Sequence, residues 1–220
     1  NFKNYKTGNE VLSLARKIKP ASNTQKKFSE VELEGFDLNG KTIGVIGSGR
    51  IGLKTISLAK SFGMNVLAYD ILENKEAEKS LDFKYVALDE LLKNSDIISL
   101  HAPLTEQTHH IINENNIEKI KKGAIIINTA RGGLIDNKAL IRALNDNIIS
   151  SAGLDVLDEE KENIKFSKQS EEVQEIIKHP SVLATPHNAW NSREAKHRMM
   201  STTIDNIIAF IDGKQQNIIV

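Results

Sequence analysis

KTIGVIGSGRIGLKTISLAKSFGMNVLAYD, residues 41–70, decides how this chain folds. TIGVI (42–46) is short, apolar and rich in β-branched residues, as a strand buried on both faces requires. RIGLKTISLAKSF (50–62) switches to helical spacing, and Gly63 stands at the C′ position where helices commonly stop. NVLAYD (65–70) reads as a second strand. Between the first strand and the helix, Gly47, Gly49 and Gly52 form G-x-G-x-x-G. Alone, that spacing fits a tight turn as well as a dinucleotide cradle. The strand–turn–helix setting favours the cradle: the first glycine permits the turn, the second lets the backbone approach a pyrophosphate, and the third lets helix and strand pack closely. The helix N-terminus then offers its N–H groups to the phosphate charge. Asp70, 18 residues past Gly52, can accept hydrogen bonds from both ribose hydroxyls and would repel a 2′-phosphate, which favours NAD over NADP.

The same alternation continues downstream. A short helix around 74–80 and a turn at LDELLK (88–93) precede strands at DIISL (96–100), GAIIINT (123–129), IISSAGLD (148–155) and SVLAT (181–185). Further helices are predicted near 137–144 and 192–212. Apolar strands alternating with helices give a parallel sheet covered on both faces, a Rossmann-type doubly wound α/β fold. Residues 1–30 read as an entering helix (Val11, Leu12, Leu14, Ala15, Ile18) and a linker arm, 31–190 as the dinucleotide-binding domain, and 191–220 as a C-terminal helix.

Composition narrows the function. The 29 basic residues balance 29 acidic ones, so the chain lacks the charge footprint of a nucleic-acid or anionic-membrane binder. It has no cysteine, which removes disulfides, thiolate metal sites and cysteine nucleophiles and fits a cytoplasmic protein. No apolar run reaches the roughly 18 residues of a membrane span, and no signal-peptide pattern opens the chain. The first residue is Asn1, so the chain is expected to be trimmed from a longer protein.

In an open parallel sheet, ligands bind beyond the carboxyl ends of the strands. Those ends carry Asp70; His101 and Pro103; Ala130, Arg131, Gly132 and Gly133; Asp155 with Asp158, Glu159 and Glu160; and Pro186, His187 and Asn188. Arg131 can hold a carboxylate bidentately, which suits a small 2-oxo or 2-hydroxy acid. Reducing a carbonyl by hydride transfer needs a proton donor that titrates near neutrality, commonly histidine. Of six histidines, only His101 and His187 directly follow strands, and spacing does not choose between them. Nor does it choose a partner among Asp158, Glu159 and Glu160. His109 and His110 read as surface residues and His197 as part of a helix face. No metal constellation stands out, and the acidic run 158–162 reads as solvated.

LNGKTIGVIGSGRIG, HAPLTEQT, NTARGGLID, GLDVLDEE and ATPHNA together resemble the D-isomer-specific 2-hydroxyacid dehydrogenases, in that family's order and at about its spacings, from Val31 onward. The resemblance implies an NAD-dependent oxidoreductase acting on a 2-hydroxy/2-oxo acid, with Arg131, Glu160 and His187 as its catalytic set. It places the cofactor along Gly47, Gly49, Arg50, Ile51, Gly52, Asp70, Pro103 and Thr108, with Thr129, Ala130, Arg131, Asp155 and His187 near the nicotinamide. It also implies a homodimer formed through this domain. Family members are about half again as long, and an N-terminal stretch of roughly a hundred residues builds most of a second, substrate-binding domain. This chain is therefore expected to be mostly the cofactor half, with 192–220 returning toward the other domain, and to be inactive alone. The resemblance extends to NAD-binding corepressors, so a sensor without turnover is the alternative. Three departures stand out: Lys161 where proline is frequent, a long charged stretch over 161–178 expected to leave the usual path, and Trp190 where many members have glycine.

Overall fold

A computed structural model describes residues 35–158 and 169–217 of the chain. The predicted entering helix and linker arm, residues 1–30, lie outside the described residues, as does Glu160. Contacts divide the chain into two compact units, one reaching Ala184 and the other beginning at Thr185.

The first unit is built on seven strands: β1 (Thr42–Ile46), β2 (Asn65–Tyr69), β3 (Lys84–Tyr85), β4 (Ile97–Leu100), β5 (Ala124–Asn128), β6 (Ile149–Leu154) and β7 (Val182–Ala184). Five helices connect them: α1 (Arg50–Ser61), α2 (Lys75–Leu81), α3 (Leu88–Asn94), α4 (Asn137–Asn145) and α5 (Glu171–Lys178). All strand pairs are parallel, in the order β3-β2-β1-β4-β5-β6-β7. The chain builds outward from β1 to one edge, then returns to β4 on its other side.

Strand alternation sorts the side chains into two cores. Ile43, Val45, Val66, Ala68 and Ile97 join one cluster with Ile56 and Ala59 of α1. Ile46, Ile98, Leu100, Ala124 and Ile126 join the other with Leu91 and Leu92 of α3, Leu140 of α4 and Val173 of α5. A sheet buried on both faces needs nearly continuous apolar strands, which is why these runs are easy to read.

LDELLK is a helix rather than a turn. Leu91 and Leu92 of α3 are fully buried, and their contact with the sheet sustains two helical turns that the short motif alone does not announce. The charged stretch also holds a helix unseen in the sequence. The Ser170 hydroxyl caps α5 by accepting from the Val173 N–H at 3.3 Å, and Val173 and Ile176 are buried.

The second unit holds a turn and one long helix, α6 (Arg193–Ile211), capped where Ser192 Oγ accepts from the Ala195 N–H at 3.0 Å. Only Ala209 of α6 is buried, whereas Met199, Met200, Ile204, Ile207, Ile208, Phe210 and Ile211 are exposed. Among the described residues, no helix is long and apolar enough to cross a membrane.

Candidate cofactor and catalytic site

β1 has β2 on one side and β4 on the other, so the order of strand addition reverses beside it and opens the crevice where such folds bind ligands. The glycine loop lies at its mouth. Gly47 has φ +93°, and a Cβ there would strike the backbone of His101 and Ala102. A Cβ on Gly52 would strike the carbonyl oxygen of Gly47, so helix and strand touch backbone to backbone. A Cβ on Gly49 meets nothing within 4 Å. The first and third glycines are thus packed, and the second faces open space. No side chain caps α1 and no acid stands in its first turn, leaving its amide end directed at that space. This cradle fits a dinucleotide pyrophosphate. Arg50 and Ile51 are exposed beside it.

Asp70 follows β2. Its Oδ2 accepts from the Ser48 N–H at 2.6 Å and the Ser48 hydroxyl at 2.9 Å, and its Oδ1 accepts from the Leu72 N–H at 3.0 Å. Burial pushes the carboxyl up, but the Leu72 and Ser48 hydrogen bonds outweigh it and hold Asp70 below the ordinary carboxylate value. An ionised, acceptor-only group therefore stands at the end of β2, hydrogen-bonded to Ser48 of the glycine loop.

After β4, the His101 ring is half-buried, with Nε2 2.9 Å from Ser99 Oγ, and burial lowers its pKa. Thr108 is buried, and its hydroxyl donates to the Pro103 carbonyl at 2.6 Å while accepting from the Thr105 N–H at 2.8 Å. Thr108 thus shapes the loop that displays Pro103.

After β5, Thr129 and Arg131 are exposed and Ala130 is half-buried. The Arg131 guanidinium donates to the Ala130 carbonyl at 2.7 Å, and among the described residues no carboxylate pairs with it. Asn128, which sequence reasoning missed, forms this turn: it is buried, its Oδ1 accepts from the Ala130 N–H at 3.0 Å, and its Nδ2 donates to the Arg131 carbonyl at 2.9 Å. The Asn128 carbonyl also accepts from the N–H of buried Asp155 at 2.9 Å, tying the β5 and β6 ends together. A Cβ on Gly132 would overlap the Leu157 carbonyl, so the arginine turn lies directly on the segment leading to the acidic run.

His110 is not a plain surface residue. It adopts φ +49°, donates its N–H to the Gly133 carbonyl at 2.8 Å, and brings Nε2 within 2.6 Å of Asp158 Oδ2. His109, His110 and Asp158 also place ligand atoms within 4.8 Å of one another, a grouping hidden by 48 residues of separation between His110 and Asp158. His110 lies between two carboxylates, with Nδ1 3.8 Å from Asp136. The Asn137 amide donates to the Asp158 carbonyl at 2.9 Å. These bonds fasten the loop after β4 and the start of α4 to Asp158, which is half-buried rather than fully solvated.

In the second unit, His187 sits in a tight turn at φ +46° and donates its N–H to the Thr185 carbonyl at 3.0 Å. The Trp190 indole N–H donates to the His187 carbonyl at 3.1 Å. A left-handed conformation is uncommon outside glycine, though histidine is among the residues enriched there. His197 lies on α6, as its spacing predicts.

These features define a dinucleotide-binding Rossmann domain whose cofactor is NAD. A family model described as "D-isomer specific 2-hydroxyacid dehydrogenase, NAD binding domain" matches residues 9–189. The chain belongs to that family. The glyoxylate reductase of Korarchaeum cryptofilum is 42% identical over 180 residues, covering 82% of this chain and 52% of that protein. The solved pyruvate reductase of Chlamydomonas reinhardtii matches with a TM-score of 0.81 at 33% identity, over 96% of this chain and 63% of that one. D-lactate dehydrogenase from Lactobacillus jensenii, solved with NAD+, matches with a TM-score of 0.80 at 31% identity, over 96% and 63%. The chain thus spans about half to two thirds of the length of these relatives.

Proposed function

We propose that this chain is the cofactor-binding part of an NAD-dependent D-2-hydroxyacid dehydrogenase. Residues 31–190 form its NAD domain, and 192–220 lead back toward a substrate domain. The observation that carries this reading is the exposed Arg131 guanidinium beyond β5, on the strand-end rim that also bears the glycine cradle and Asp70.

When bound, NAD supplies hydride exchange at its nicotinamide ring. Arg131 binds the substrate carboxylate as a fixed fork and polarises the 2-carbonyl. His187 gives a proton to the carbonyl oxygen during reduction and takes it back during oxidation. Glu160 orients that ring and favours its protonated form. His101 is poorly suited to the same task, because burial lowers its pKa and so favours the neutral ring. Gly47, Gly49, Arg50, Ile51 and Gly52 line the pyrophosphate, Asp70 the ribose, Pro103 and Thr108 the middle of the cofactor, and Thr129, Ala130 and Asp155 the nicotinamide end.

The test is NADH consumption with a panel of 2-oxo acids, run on this chain and on the full-length gene product. The chain is expected to bind NADH and the full-length protein to turn it over. His187→Ala should lower kcat of the full-length enzyme by about 10²- to 10⁴-fold, as loss of a general acid does. If the full-length protein binds NADH, reduces nothing and is unchanged by His187→Ala, the sensor reading replaces the enzyme reading.

A homodimer through this domain is also proposed, supported by exposed Leu58 on α1 and exposed Phe62 just after its last turn, and a monomer in sedimentation at micromolar protein would overturn it. A cytoplasmic location is also proposed, since the reading requires access to a cellular NAD pool, and fractionation checks it.

A further inference from the structure

We infer that Tyr85 is a positioning residue that sets discrimination between NAD(H) and NADP(H), acting on Asp70 through Ser48. The inference rests on the NAD-binding reading and assigns a role that neither the glycine spacing nor Asp70 announces.

The bond directions follow from charge. Asp70 is ionised and can only accept, so the Ser48 hydroxyl must donate its one proton to Asp70 Oδ2. The Ser48 oxygen lies 2.7 Å from the Tyr85 hydroxyl, which must then be the donor in that bond. The Tyr85 oxygen in turn accepts from the Asn74 N–H at 3.1 Å. A single chain thus runs from the Asn74 N–H through Tyr85 and Ser48 to Asp70, each bond polarising the next. Ser48 is buried, so its hydroxyl has little competing water.

The Tyr85 ring is held apart from this chain. Its N–H donates to Glu78 Oε1 at 2.9 Å, and the ring meets Phe83 edge to face at 5.0 Å between centroids. Its hydroxyl therefore reaches Ser48 from a fixed base on β3. With Oδ1 already accepting from the Leu72 N–H and Oδ2 from the Ser48 N–H, the Ser48 hydroxyl adds a second bond at Oδ2 that further limits rotation of the carboxylate. A clamped carboxylate keeps its acceptor aimed at a ribose hydroxyl and its charge against a 2′-phosphate. A rotating one loses part of both effects.

Tyr85→Phe removes only the hydroxyl and keeps the ring contacts. NADH and NADPH dissociation constants would be measured by calorimetry on this chain for wild type, Tyr85→Phe, Ser48→Ala and the double variant. Tyr85→Phe is expected to weaken NADH about 3- to 10-fold, the scale of one polar contact, and to leave NADPH within about twofold. Ser48→Ala should reproduce that narrowing, and the double variant should add little, because both substitutions cut one path. Equal weakening of both cofactors, an unchanged ratio, or full additivity would overturn the inference while leaving NAD binding intact. If wild type binds neither dinucleotide, the cofactor reading itself fails and this inference falls with it.

Discussion

Asp70 illustrates how one side chain couples folding to charge. Its hydrogen bonds to Ser48 and Leu72 are made to the carboxylate, so its folded pKa lies below its unfolded one. The sign follows: Asp70 contributes stability at pH above about 4, and that contribution is lost as pH falls through the lowered folded value. Thermal melts of wild type and Asp70→Asn without cofactor should therefore draw closer together as pH is lowered from 5 through that range. Parallel curves would show that the network does not favour the ionised form. The places of Gly47, Arg131 and Asp70 at the strand-end rim are legible because the signals are local: a glycine needing positive φ, and an arginine and an acid directly after strands. Asn128, Tyr85 and His110 are not, because their roles depend on atoms brought close only by the sheet. His110 and Asp158 lie 48 positions apart in sequence and 2.6 Å apart in space.

Among the elements, the central strands are read correctly because burial on both faces leaves them almost wholly apolar, Ser99 and Asn128 being buried polar exceptions. The misread pieces are short or charged. α3 has seven residues, β3 has two, and α5 hides two buried apolar side chains in an acidic run. Caps are the clearest local signal that the fold honours. Asp136 Oδ1 accepts from the N–H groups of Lys138 and Ala139, at 2.8 and 3.1 Å, closing the start of α4 directly after the arginine turn. Asp136→Ala should destabilise the protein by about 1 kcal/mol in urea unfolding, and Asp136→Asn by much less, since asparagine caps almost as well. Equal losses would assign the stability to charge, including the neighbouring His110, instead of to capping.

For the molecule as a whole, the two units differ in how much core they own. The first holds two apolar clusters around a seven-stranded sheet, whereas α6 of the second buries only Ala209. Burial of apolar area is the main stabilising term, so the second unit should open at lower denaturant. Trp190 is the single tryptophan and belongs to that unit, so its emission reports it alone, while far-UV circular dichroism is weighted toward the first. Urea titration should show the fluorescence transition before the dichroism transition. Coincident curves would mean that the chain unfolds as one body.

The strand order carries a cost in time. β1 is the first of the described strands in sequence but sits in the middle of the sheet, and its second neighbour, β4, begins at Ile97. Asp96 seals that junction by accepting from the Thr42 N–H at 2.9 Å, across 54 positions of sequence. A nascent chain emerging from the ribosome can pair β1 with β2 early, but it must carry the other edge of β1 bare while the roughly fifty residues between β1 and β4 are synthesised. That edge reads TIGVI, apolar and β-branched, the kind of sequence that pairs with strangers when left open. The arrangement that creates the binding crevice thus also sets the most vulnerable interval in the life of the chain, before any cofactor has a place to bind.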